Sequence, residues 1–150
     1  MFLPTNPRFW ALLAVGYWLS LLVATHLPAD LAPAHAGSWD KVAHTVGFGL
    51  LALFCGIAWR LVAGALGLRE SAAILLTLSI YAAIDECTQP WFGRNCDPLD
   101  WAADMAGASA GLAAAMVLIA VVRRPRRRAR PTPTPPTVHS SGEEFAVGAN

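Results

Sequence analysis

A chain of 150 residues that is 55% hydrophobic and 14% charged is too apolar for a water-soluble domain, in which about a quarter of residues carry charge. Its formal net charge is +1, and no nucleic-acid partner is expected. No nucleophile elbow, phosphate loop, CxxC pair or HExxH is present, which excludes the recognised soluble catalytic frameworks.

The apolar residues fall in four blocks without strand-like alternation: 9–25, 42–59, 71–84 and 102–122. A helix needs about 20 residues to cross about 30 Å of hydrocarbon. The first two blocks cross with a few flanking residues, and the fourth crosses alone. The third is short, and spans only by taking in residues 85–89 or 66–70. The first is longer than the usual 7–15 apolar residues of a secretory signal and reads as a retained helix. His26 to Pro33 leaves it through Pro28 and Pro33, which predicts irregular chain over one face of the bundle. The expected fold is therefore all-α: a four-helix transmembrane bundle over residues 1–122. Residues 123–150 form a basic, Pro-rich cytoplasmic tail that is expected to be disordered.

Basic residues set the expected orientation. Arg8, Arg60, Arg69 and six arginines between 123 and 130 fall on one side of the bundle, against Lys41 and Arg94 on the other. The positive-inside rule then puts both termini in the cytoplasm and the two connections holding 40–44 and 85–100 outside. Trp39, Trp91 and Trp101 fall near that outer boundary, where amphipathic rings favour the headgroup region. Cys55 reads as packing. Cys87 and Cys96 lie on the outer side, as two free thiols or as a disulfide that an oxidising compartment permits.

The outer boundary is where charge concentrates. Ionisable groups at the edge of a bilayer cost free energy unless they pair, reach water or bind something. The second helix opens Asp40-Lys41-x-x-His44, with Asp40 placed to cap it and His44 one turn on, followed by Gly47 and Gly49. The third ends Asp85-Glu86-x-x-Gln89, where Gln89 can reach either acid; Pro90 and Gly93 then break it, and Arg94 follows. The fourth carries Asp100, Asp104, Gly107 and Gly111 on one stripe, carboxylates outermost and small residues deeper. The small residues direct that stripe toward other helices, so His44, Asp85, Glu86, Arg94, Asp100 and Asp104 are expected to converge in one polar pocket.

In this order and spacing the motifs resemble those of the VanZ-like family of small bacterial membrane proteins. That family shows Asp-Lys-x-x-His, then Asp-Glu-x-x-Gln, an Arg, and Asp-x-x-x-Asn-x-x-Gly-x-x-x-Gly. The match runs from about residue 39 to 122. Here Asp104 stands at the Asn position, the interval from Gln89 to Arg94 is one residue shorter than in many relatives, and the tail from Arg123 has no counterpart. The resemblance implies a multi-pass protein of the bacterial cytoplasmic (inner) membrane, without a defined activity or a link to glycopeptide resistance.

Three functions remain open at the level of sequence. In the first, the outer cluster binds a lipid-linked cell-wall precursor or another phosphate-bearing headgroup, with Lys41, Asp85, Gln89 and Arg94 as ligand-binding residues. In the second, the chain is a membrane enzyme with His44 or Glu86 as general base and a divalent cation held among His44, Asp85, Asp100 and Asp104. In the third, Lys41 and Arg94 neutralise carboxylates and the cluster only staples helices. Six carboxylates at this end (Asp40, Asp85, Glu86, Asp97, Asp100 and Asp104) against two bases count against the third. The bilayer is the expected partner in all three, and oligomeric state is not legible.

Overall fold

The computed structural model describes residues 5–27 and 38–122. These form four helices: α1 (Pro7–Thr25), α2 (Ser38–Ala63), α3 (Leu68–Thr88) and α4 (Pro98–Val122). A short 3-10 turn, Gln89–Phe92, extends α3. The chain after helix α1, through Pro28 and Pro33, and the basic tail both lie outside the described residues.

Local chemistry fixes the ends of the helices. Asn6 caps α1 by accepting the Arg8 amide at 2.9 Å, with Pro7 at the first helical position, where its missing N–H costs nothing. Helix α2 ends where Gly64 takes φ +78°, a conformation that favours glycine. Glu70 folds back onto the Gly67 amide at 2.9 Å to start α3. Gly93, at φ +75°, ends the 3-10 turn. Asp97 opens α4, its Oδ1 accepting the Leu99 amide at 2.9 Å ahead of Pro98.

Every helix is long and apolar enough to cross a membrane, the shortest being α1 at 19 residues. The short third block spans by taking in both of its flanks, and α4 begins four residues before the apolar block, so Asp100 lies in its first turn. Helix α2 occupies the centre and packs against the other three, most extensively along α4. One buried cluster comprises Phe48, Leu51, Ala52, Leu78, Ala82 and Ala108; a second, nearer the opposite end, joins Trp10, Ile57, Ala58 and Ala115. The outer surfaces stay apolar, with Leu12, Leu76 and Val117 more than half exposed, as suits side chains that face lipid tails. The chain is a multi-pass membrane protein built as a helical bundle.

Candidate functional site

Helices α2 and α4 run parallel, both starting at the same end of the bundle, and glycine sets their separation. A Cβ on Gly107 would collide with the carbonyl of Thr45, and one on Gly111 with the carbonyl of Gly49. The register advances four residues on each helix, so the backbones touch at two successive turns. Just above the first contact, His44, the residue before Thr45, faces Asp104, three before Gly107. Their Nδ1 and Oδ1 atoms are 3.0 Å apart. The starts of α2 and α4 also aim the positive ends of two helix dipoles at this end, which favours carboxylates there.

Three groups of side chains make up the polar end. At the centre, His44, Glu86 and Asp104 are buried, and His44 Nδ1 lies 3.8 Å from Glu86 Oε1. One donor atom from each falls within 4.8 Å of the other two. Asp104 is wholly enclosed, and its Oδ2 has no hydrogen-bond partner among the described residues. Above the centre, Lys41 Nζ donates to Asp97 Oδ2 and Asp100 Oδ1, both at 2.8 Å. Arg94 approaches Asp40 at 3.6 Å. Asp40 and Asp100 also bring one donor atom each within 4.8 Å of one on His44.

Beside the centre, Gln89 is buried and its amide donates to Glu86 Oε1 at 2.9 Å and to Asp85 Oδ2 at 3.3 Å. The Asp97 amide donates to the other oxygen of Glu86 at 3.2 Å. Asp85 faces α1, where Thr25 Oγ1 donates to Oδ1 at 2.9 Å and His26 Nδ1 lies 3.6 Å from it, while the Tyr81 hydroxyl, one turn back on α3, donates to the same oxygen at 3.4 Å. Asp97 sits in the loop between spans. The Lys41 hydrogen bond, helped by the Leu99 amide, holds its carboxyl below the usual carboxylate range.

The structure brings His44, Glu86 and Asp104 together and puts Asp85 and Gln89 one layer behind them. Asp100 goes to Lys41 and Arg94 to Asp40, at the rim. Cys87 and Cys96 are free and exposed, and Cys55 is half-buried.

Four residues of this end carry no mark in a reading from sequence: Thr25, His26, Tyr81 and Thr88. His26 Nδ1 donates to the Leu22 carbonyl at 2.9 Å, while Nε2 lies 2.8 Å from Thr88 Oγ1. Tyr81 and Thr88 stand four before and three after Asp85, a helical spacing that places them on its face. Thr25 and His26 have no comparable local signal. Between α1 and α3 a mostly apolar cleft of about 290 Å³ is lined by Leu22, Tyr81, Ile84, Trp91 and Phe92, together with His26, Asp85 and Thr88.

The VanZ/LLP1 family model matches residues 4–120. Neither a search of curated proteins nor a search of solved structures finds a match. The family match takes in three helices whole, α4 but for its last two residues, and every residue of the polar end: this chain belongs to the VanZ/LLP1 family.

Proposed function

We propose that this VanZ-family membrane protein lies in the cytoplasmic membrane with both termini inside, and binds a phosphate-bearing lipid headgroup of the cell envelope at its polar end. The observation that carries the reading is the cleft between α1 and α3. Its lining is mostly apolar (Leu22, Tyr81, Ile84, Trp91 and Phe92), which suits an acyl or polyprenyl chain, and His26 and Thr88 are polar groups beside it. Arg94 supports it as the anion contact. Its guanidinium carries five N–H donors, and its ion pair with Asp40 at 3.6 Å is long, so most of that capacity is unspent among the described residues. Lys41 is a weaker candidate, because it already serves two carboxylates.

The test is native mass spectrometry of the full chain in micelles, titrated with a lipid-linked cell-wall precursor and with an uncharged lipid of equal tail length. The precursor is expected to bind more tightly, and Arg94→Ala to weaken it about 10–100-fold, the worth of a charge-assisted hydrogen bond. Ile84→Trp, which fills the cleft, weakens both lipids. Equal binding of the two lipids, unchanged by Arg94→Ala, rejects the reading.

The buried contact between His44 and Glu86 favours a second reading, a membrane enzyme in which one of them acts as general base. Glu86→Gln separates the two: an enzyme loses its reaction while still folded and still binding lipid. A cluster that only staples helices loses folded protein at every position alike.

A further inference from the structure

We propose that His44, Glu86 and Asp104 form a buried binding site for one divalent metal ion. The site stands independently of the headgroup reading, since it uses neither the cleft nor Arg94. Of the six carboxylates at this end, Asp97 and Asp100 share the one charge of Lys41, Asp40 faces Arg94, and Asp85 is held by a hydroxyl and an amide with His26 beside it. Glu86 and Asp104 share one histidine, His44, and have no fixed cation among the described residues, whereas Asp85 lies apart from them, 3.6 Å from His26 of α1. With both carboxylates ionised and the imidazole neutral, as metal binding requires, two negative charges stand in a buried place, and a divalent cation balances them.

Asp104 adds an independent sign. Its Oδ2 is fully enclosed without a partner among the described residues, a rare state for a buried carboxylate oxygen. A cation among the three groups gives that oxygen a partner by bidentate coordination.

The distances suit a small ion. Ligand atoms about 2.0–2.2 Å from a metal lie about 3–3.6 Å from one another in tetrahedral or octahedral sites. His44 Nδ1 stands 3.0 Å from Asp104 Oδ1 and 3.8 Å from Glu86 Oε1, so small side-chain movements close the set. One imidazole with two carboxylates suits Mn²⁺ or Zn²⁺ better than Ca²⁺, which takes oxygen ligands only. An outer layer is already built: Gln89 and the Asp97 amide each hold one oxygen of Glu86, and Asp85 holds Gln89. The alternative trio of Asp40, His44 and Asp100 is the poorer site, because both of its carboxylates already have cations. Coordination through Nδ1 requires that atom to give up its proton, so binding weakens in acid.

The test uses the full chain in micelles, stripped with chelator and dialysed to equilibrium against Mn²⁺ and, separately, Zn²⁺. Bound metal is counted by elemental analysis, and the Mn²⁺ sample is examined by electron spin echo for a directly bound nitrogen. One ion per chain is expected, with the nitrogen signal lost in His44→Phe. Glu86→Gln and Asp104→Asn keep the side-chain shapes and are expected to weaken binding by more than about 100-fold, and Gln89→Leu by about 10–100-fold. Asp100→Asn leaves the count unchanged. Circular dichroism and monodisperse elution establish that each variant is folded. No stoichiometric uptake of either ion, or uptake that survives both Glu86→Gln and Asp104→Asn in folded protein, overturns the proposal.

Discussion

Asp97 ties three elements together at the head of α4. Its Oδ1 caps the helix, its Oδ2 receives Lys41 from α2, and its amide donates to Glu86 of α3. Because Lys41 lowers its carboxyl pKa, the stabilisation is complete above the unfolded carboxylate value of about 3.9 and is lost as pH falls through the lower folded value. The thermal midpoint of the wild type is therefore expected to hold at neutral pH and to fall in acid, with a shallower acid limb in Asp97→Asn. The effect is modest, since both side chains are 38% exposed and solvent screens the pair. Identical acid limbs in the two proteins would contradict this role. In the sequence Asp97 is only one of six carboxylates at this end, because its partners lie on other helices. Gln89 is more legible: three and four residues from its acids, it reaches both within one helix.

The close approach of α2 and α4 depends on having no side chain at two positions. Gly107→Ala and Gly111→Ala put a methyl group into a backbone carbonyl of α2 and force the helices apart, at a cost of about 1–3 kcal/mol or more each. Gly16 has nothing within 4 Å of a Cβ, so Gly16→Ala is expected to stabilise by about 0.5–1 kcal/mol. Unfolding midpoints in micelles read both signs, and a tolerant Gly107→Ala would mean that the helices do not touch there. The spacing of Asp100, Asp104, Gly107 and Gly111 made this stripe legible, since small residues on a spanning helix have few uses besides contact. What spacing could not supply is register between helices. That register pairs Thr45 with Gly107, so it is Asp104 that meets His44, while Asp100 turns to Lys41.

Across the whole molecule, charge is sorted by end. The spans and their number were legible because hydrophobic length is a strong constraint in a bilayer. The division of labour among the six carboxylates was not, because it depends on contacts such as Thr25 to Asp85, made between residues 60 apart in sequence. Orientation can be tested with Cys96, which is exposed in the loop between α3 and α4. In a Cys55→Ser, Cys87→Ser background, a membrane-impermeant thiol reagent is expected to label it in intact spheroplasts; labelling only after lysis would invert the topology. The central claim is that the buried acidic centre is a ligand site and more than helix glue. Its most direct test compares the thermal midpoints of wild type and Asp104→Asn, in micelles, with and without Mn²⁺. Without metal the variant is expected to be as stable as wild type or more so, having lost a buried unbalanced charge. With Mn²⁺ at about 100 times its dissociation constant, wild type should gain about 2.7 kcal/mol and the variant almost nothing. A wild-type midpoint indifferent to the metal, beside a variant that is only less stable, would contradict the account.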